Sequence, residues 1–262
     1  MPSQETPFDA IGFDTDPARG WPAVTLRHAT VGLGLGVVRR LFAPTRLEGA
    51  DLLEGISTPC VVVANHHSHA DTAVLLTTLP ATLRRRMVVA AAADVWFPNR
   101  TASWFSSRCI GTIPIDRSKA SRRTLELCHR LLGEGWSLLI YPEGHRSPEG
   151  ELDHFKPGAA WVARRAGVPV VPLYLEGTGR VLARGEWRPR RTRVLVRAGQ
   201  PIATTPDDDA RALNARLQDA VLQLSGGRLR GPGVPSAGCA VDQRVGAASD
   251  DPTVIPVTDL PR

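Results

Sequence analysis

Val61-Val62-Val63-Ala64-Asn65-His66-His67-Ser68-His69-Ala70-Asp71 decides the reading of this chain. Its first four residues make a short apolar run of buried-strand type that stops at Asn65. Three histidines and a carboxylate follow within six residues, a composition that neither a core nor an ordinary turn requires. If His66 lies in the loop at the strand's end and Asp71 in the first turn of the next helix, the carboxylate can turn back to hold an imidazole nitrogen. One continuous helix would not allow this. Each helical residue advances roughly 100° about the axis, so positions five apart lie about 140° from one another. The stretch predicts strand, loop, helix, and a supported base.

Working outward, the same alternation continues. Residues 47–56 read as a short edge element and 60–64 as the first well-marked buried strand. A helix at 70–79 is stopped by Pro80, and a strand at 87–91 follows the basic turn Arg84-Arg85-Arg86. A short apolar helix (101–108) precedes a strand with a charged end (111–117), and an amphipathic helix (121–132) stops at Gly133 and Gly135. The strand at 137–140 runs into Tyr141-Pro142-Glu143-Gly144-His145-Arg146-Ser147. A helix from 158 to 166, strands at 168–173 and 192–197, and a helix at 207–224 complete the pattern. This predicts an α/β fold: a single domain with a central, mostly parallel sheet flanked by helices. Three strand ends carry polar clusters, and in open α/β sheets ligands gather beyond the carboxyl ends of strands. The clusters at 65–71, 116–117 and 141–147 are expected to share one cleft.

The flanks carry less. Residues 1–20 read as a flexible, acidic lead-in without the features of a secretory signal. From 21 to 42 the chain is mostly apolar but interrupted by Arg27-His28 and Arg39-Arg40, which argues against a membrane span of about 20 predominantly apolar residues. It suits an N-terminal amphipathic helix. One reading lays it on a membrane, with Trp21 and Phe42 at its ends and the arginines snorkelling to headgroups. The other packs it on the core, its glycines allowing close approach. The main domain is expected over 21–225 and a disordered, glycine- and proline-rich tail over 226–262. Cys60, Cys109, Cys128 and Cys239 have neither disulfide-framework nor zinc-ribbon spacing, so reduced thiols are expected. The formal net charge of +6 comes with no nucleic-acid reader motif, so no nucleic-acid partner is expected; an anionic membrane surface suits it better.

Four ordered blocks resemble the glycerolipid acyltransferase family, which includes bacterial 1-acyl-glycerol-3-phosphate acyltransferases. They are Asn65-His66-x-Ser68-x-x-Asp71, Gly111-x-Ile113-x-Ile115-Asp116-Arg117, Pro142-Glu143-Gly144-x-Arg146-Ser147 and Val168-Pro169-Val170-Val171-Pro172. Phe155-Lys156-x-Gly158 is also similar. The resemblance covers roughly residues 45 to 200. It departs at Tyr141, where phenylalanine is common, and at His145, where threonine is common; the second bears on the acceptor.

The resemblance implies transfer of a fatty acyl group from an acyl-CoA or acyl-carrier-protein thioester to lysophosphatidic acid, with another lysolipid or an alcohol as the alternative acceptor, at the cytoplasmic face of the cell membrane as a peripheral protein. The donor is a substrate, and no cofactor or metal is expected. Neutral imidazole suits proton removal from an attacking hydroxyl near pH 7, so His66 is the expected base. Asp71 would fix its tautomer, as the carboxylate of a serine-protease triad does, with the substrate hydroxyl in place of the serine. No covalent acyl-enzyme is then needed. Backbone N–H groups at the start of the following helix would meet the oxyanion. Arg117 and Arg146 would bind acceptor phosphate; Glu143 and Gly144 would shape that loop, and Asn65, Ser68 and Ser147 complete the expected substrate-binding set. A second resemblance, of His67-x-His69-x-Asp71 to the first metal block of metallo-β-lactamases, implies a zinc hydrolase instead. It lacks the further histidine usual after the aspartate, since Thr72 stands there.

Overall fold

The computed structural model describes residues 9–56, 58–116 and 122–227. Strands β1 (Thr45–Glu48), β2 (Val61–Ala64), β3 (Met87–Ala92), β4 (Thr112–Ile115), β5 (Ser137–Ile140), β6 (Val170–Glu176) and β7 (Val194–Ala198) form one sheet. Its order is β1-β7-β6-β2-β5-β3-β4. The five strands from β6 to β4 run parallel. The remaining pair turns round: β7 is antiparallel to β6, and β1 is parallel to β7. The expected mostly parallel α/β sheet is present.

The sheet is covered on both faces, which explains why its strands β2 and β3 are apolar along their length, whereas β1 and β7, toward one edge, are mixed. In β2 the pleat sends Val61 and Val63 to one core and Val62 and Ala64 to the other. The first core lies under helices Arg122–Gly133, Gly158–Ala166 and Ala210–Leu224, through residues such as Leu131, Val162 and Leu217. The second lies under helix Ala70–Thr78, through Val74 and Leu75, and takes in Val31 from the N-terminal helices. Because β2 sits between β5 and β6, the loop that leaves it is central in the molecule.

Two expectations at the N-terminus change. Residues 9–20, read as a flexible lead-in, pack on the body: Asp16 pairs with Arg130 at 3.0 Å, and the Phe13 and Phe97 rings lie 6.1 Å apart. The partners are remote in sequence, so the polar composition of the segment concealed them. Residues 21–42 are helical as expected, in helices Trp21–Ala29 and Gly36–Phe42 joined by a π-type segment, Thr30–Leu35. Yet Arg27 does not snorkel outward. Its guanidinium is buried, donating to the Ala18 carbonyl at 2.7 Å, and lies 5.9 Å from the Trp136 ring centroid. Burial lowers its pKa to about 10, which leaves it charged at neutral pH.

The opposite face of these helices carries Trp21, Leu33, Val37, Val38 and Leu41, all exposed. Among the described residues no helix is long and apolar enough to cross a membrane. Arg117 and the expected C-terminal tail beyond residue 227 lie outside the described residues.

Candidate active site

Beyond Ala64 the chain leaves β2, runs irregularly through Asn65–Ser68 and enters helix Ala70–Thr78 with Asp71 in its first turn. That geometry turns the carboxylate back over the loop. Asp71 Oδ2 accepts from His66 Nδ1 at 2.7 Å, from the His67 N–H at 2.8 Å and from the Ser68 N–H at 3.0 Å. One side chain therefore folds the loop and orients the ring. Burial pushes the Asp71 carboxyl up, but the His66 ring and the Ser68 N–H outweigh it and hold the pKa below its ordinary value. Nδ1 carries the hydrogen in this arrangement, and Nε2 of a neutral ring is left with the lone pair.

A second carboxylate fastens the neighbouring loop. Glu143 is buried, and its Oε1 accepts the His66 N–H at 2.7 Å. Its Oε2 accepts the Ser147 hydroxyl and, at 2.9 Å, the Asp153 N–H. Burial raises Glu143 to about 7 despite these donors. Gly144 then turns through φ +73°, a left-handed conformation that favours glycine, and the Lys156 side chain packs over the space a β-carbon would take.

The cleft between these loops is lined by His66, His69, Thr72, Tyr141, Gly144, His145 and Arg146 on its polar side. Its apolar side comes from Val89–Ala92, Val95 and Trp96, with Thr112 and Ile115 from β4. The ends of β2 and β5 reach one cleft with Ile115 of β4, while of the expected 116–117 cluster Asp116 is not among the lining residues and Arg117 lies outside the described residues. The end of β3 reaches it as well, which its apolar sequence could not announce. Tyr141 stacks on His66, with ring centroids 4.3 Å apart and planes at 20°, and its hydroxyl lies 3.0 Å from Thr72 Oγ1. Its departure from phenylalanine was the one signal for it in the sequence. His69 is held below its ordinary pKa by burial and then by the positive fields of Arg146 and His66.

Several expected contacts are placed differently. Asn65 is buried, and both ends of its amide bond the Leu175 backbone, at 2.9 Å and 2.7 Å, joining the loop to β6. The Ser68 hydroxyl donates to the Leu182 carbonyl at 2.8 Å and accepts the Ala70 N–H at 3.1 Å. With the bonds of Glu143 and Ser147, these four side chains brace the site rather than face its cleft. The N–H groups of His67, Ser68, Ala70 and Asp71 are also engaged within the loop, which leaves these four unable to meet an oxyanion. Gly144 and Arg146 do line the cleft.

The histidines of the alternative zinc reading have other neighbours. His67 Nδ1 is 3.2 Å from the Ser147 carbonyl oxygen, and the His69 ring stands edge-on to Trp96 at 6.0 Å. Among the described residues, no three histidine, cysteine or carboxylate side chains gather as a ligand set.

Residues 45–176 match the sequence model of the family described as Acyltransferase. The chain is 34% identical over 146 residues to the chloroplastic 1-acyl-sn-glycerol-3-phosphate acyltransferase BAT2 of Brassica napus, covering 55% of this chain and 40% of that protein. It is 31% identical over 175 residues to the human 1-acyl-sn-glycerol-3-phosphate acyltransferase alpha, covering 64% of this chain and 59% of that one. The chain thus spans between about two fifths and three fifths of these relatives. The crystal structure of PlsC from Thermotoga maritima, a 1-acyl-sn-glycerophosphate acyltransferase, superimposes with a TM-score of 0.60 at 21% identity, over 81% of this chain and 82% of that one. That likeness shows the shared fold.

Proposed function

Because the chain belongs to the acyltransferase family, we propose that it moves a fatty acyl group from a coenzyme A or carrier-protein thioester to the free hydroxyl of 1-acyl-sn-glycerol-3-phosphate. The products are phosphatidic acid and a free thiol. The observation that carries this reading is the 2.7 Å contact between His66 Nδ1 and Asp71 Oδ2, in a cleft with Arg146 on its wall.

The steps follow from that pair. Nε2 of His66 takes the acceptor hydroxyl's proton as its oxygen attacks the thioester carbonyl carbon, and Asp71 stabilises the imidazolium that forms. Collapse of the tetrahedral intermediate breaks the carbon–sulfur bond, and the imidazolium returns the proton to the departing sulfur. The ring ends neutral, ready for the next turnover. Tyr141 keeps the imidazole plane fixed, Glu143 holds its backbone, and Arg146 meets the acceptor phosphate, where a guanidinium can engage two oxygens at once. The apolar wall of Val89–Ala92, Val95 and Trp96 suits a hydrocarbon chain.

The acceptor and product are amphiphiles, and the exposed apolar face of residues 21–42 supports a lipid surface as partner, with the protein peripheral at the cytoplasmic face of the cell membrane. An acceptor panel with one labelled acyl-CoA tests the proposal. Transfer should favour 1-acyl-sn-glycerol-3-phosphate over lysophosphatidylcholine and monoacylglycerol. Equal transfer to the unphosphorylated acceptor would remove the phosphate from the reading, and no transfer to any acceptor would remove the reaction.

A further inference from the structure

Residues 182–193 read Leu-Ala-Arg-Gly-Glu-Trp-Arg-Pro-Arg-Arg-Thr-Arg, with five arginines against one glutamate, and lie beyond the part of the chain that matches the family. The segment is a closed loop. The Arg190 N–H returns to the Val181 carbonyl at 2.7 Å, and the Glu186 N–H to the Ala183 carbonyl at 3.0 Å. Gly185, at φ +83°, allows that inner turn. Trp187 is thereby held out of the body, 79% exposed, with the Arg188 guanidinium 4.8 Å from its ring centroid. Arg184, Arg188, Arg190, Arg191 and Arg193 flank it along the segment and are all exposed.

A single exposed apolar side chain needs no explanation. Here the charge and the attachments supply one. An exposed indole in an arginine-rich segment has the chemistry of a bilayer interface, where tryptophan sits at headgroup level and cations meet lipid phosphates. At its far end the loop is bonded to the apolar N-terminal helices, through the Thr192 N–H and the Phe42 carbonyl at 2.8 Å. At its near end it is bonded to the loop of His66, through the Ser68 hydroxyl and the Leu182 carbonyl at 2.8 Å.

We infer that residues 182–193 are a second anchor on an anionic lipid bilayer, with Trp187 inserted among the headgroups and the arginines on their phosphates. Through Ser68 the anchor sets the catalytic loop's position relative to the membrane. This inference rests on the lipid-surface reading of the proposed function. An acidic carrier protein would answer the arginines but give no reason for the exposed indole.

Sedimentation of the full chain with vesicles of phosphatidylglycerol and phosphatidylcholine tests it, alongside Trp187→Ser and the triple variant Arg184→Gln/Arg188→Gln/Arg191→Gln. Trp187→Ser should weaken partitioning about tenfold, since burial of a large apolar side chain is worth at least roughly that factor. The triple variant should lose on the order of a hundredfold on anionic vesicles, at about fivefold per arginine, and little on pure phosphatidylcholine. Both should keep the wild-type melting temperature. If the wild-type chain ignores anionic vesicles, the lipid-surface reading falls and the anchor with it. If the wild type binds and Trp187→Ser binds equally well, the anchor alone is overturned. Wild-type vesicle binding by the triple variant, with turnover lost only on a carrier-protein thioester, would overturn it in favour of an acidic protein partner.

Discussion

Glu143 accepts the backbone N–H of His66 at 2.7 Å, and the His66 carbonyl accepts the Ser147 N–H at 2.8 Å, so the loop bearing the histidine is fastened to the loop bearing Arg146. The histidine is held from two sides: Asp71 fixes its ring and Glu143 its backbone. Both carboxylates are buried and burial pushes both upward, but the donors outweigh it at Asp71 and not at Glu143. Asp71 stays below its ordinary pKa, whereas Glu143 rises to about 7.

The rise at Glu143 predicts a pH dependence of stability. From 4.5 to about 7 the folded protein binds a proton that the unfolded chain has lost. This contribution is fully present below pH 4.5 and is lost as pH climbs through 7, amounting to about 3 kcal/mol. Glu143→Gln cannot titrate, and its amide nitrogen must face a backbone donor, which costs about 1–3 kcal/mol. Melting curves should show the variant's deficit largest near pH 5 and smaller near pH 8. A deficit that grows with pH would contradict this assignment. Asp71 has the opposite sign, its contribution being present above its ordinary range and lost as pH falls through its lowered value.

Tyr141 offers a separation of ring from hydroxyl. Tyr141→Phe keeps the ring over His66 and gives up the Thr72 bond, a change of about 1 kcal/mol in stability with turnover within a few-fold of wild type. Tyr141→Leu removes the stack and should lower kcat well below the Phe variant at similar KM. Equal kcat for the two would deny the ring a positioning role.

Arg146 tests the acceptor. Arg146→Ala should raise KM for a phosphate-bearing acceptor on the order of ten- to a hundredfold, the worth of one charge-assisted hydrogen bond, and leave the donor KM nearly unchanged. Arg146→Lys should restore only part, having the charge without the two-pronged geometry. Equal losses toward phosphorylated and unphosphorylated acceptors, with a lower Tm, would make Arg146 a brace of its loop.

The two faces of the N-terminal helices should separate by experiment. Arg27→Ala strands the Ala18 carbonyl and empties a packed site against Trp136, so it should lower stability by about 1–3 kcal/mol. Trp21→Ser/Leu33→Ser/Leu41→Ser alters exposed positions, leaving Tm unchanged while reducing partition to anionic vesicles. A triple variant that partitions as wild type would move the lipid contact away from this face.

Much of this was readable in the sequence where an apolar run ends in a polar cluster. That pattern located His66 with Asp71, and the loop of Glu143 and Arg146, because strand and helix periodicities are local. Strand order was not readable: β2 lies between β5 and β6 because of how helices cover the two faces. Nor were the tasks of the polar side chains. Asn65 meets Leu175 and Glu143 meets His66, so whether each faces backbone or substrate is decided by a partner 110 or 77 residues away. The wall formed at the end of β3 carries no polar signal, and the packing of residues 9–20 depends on Arg130 and Phe97.

The most direct measurement is the rate of acyl transfer from labelled acyl-CoA to 1-acyl-sn-glycerol-3-phosphate by the wild type and by His66→Ala, with His67→Ala and His69→Ala beside them and with chelator present throughout. General-base catalysis contributes about 10²–10⁴-fold, so His66→Ala should lose at least about 10²-fold while keeping its far-ultraviolet circular dichroism. The two neighbouring variants should lose far less, and the wild type should work in chelator. A His66→Ala enzyme that turns over within a few-fold of wild type, or a wild type silenced by chelator and revived by zinc, would contradict the account.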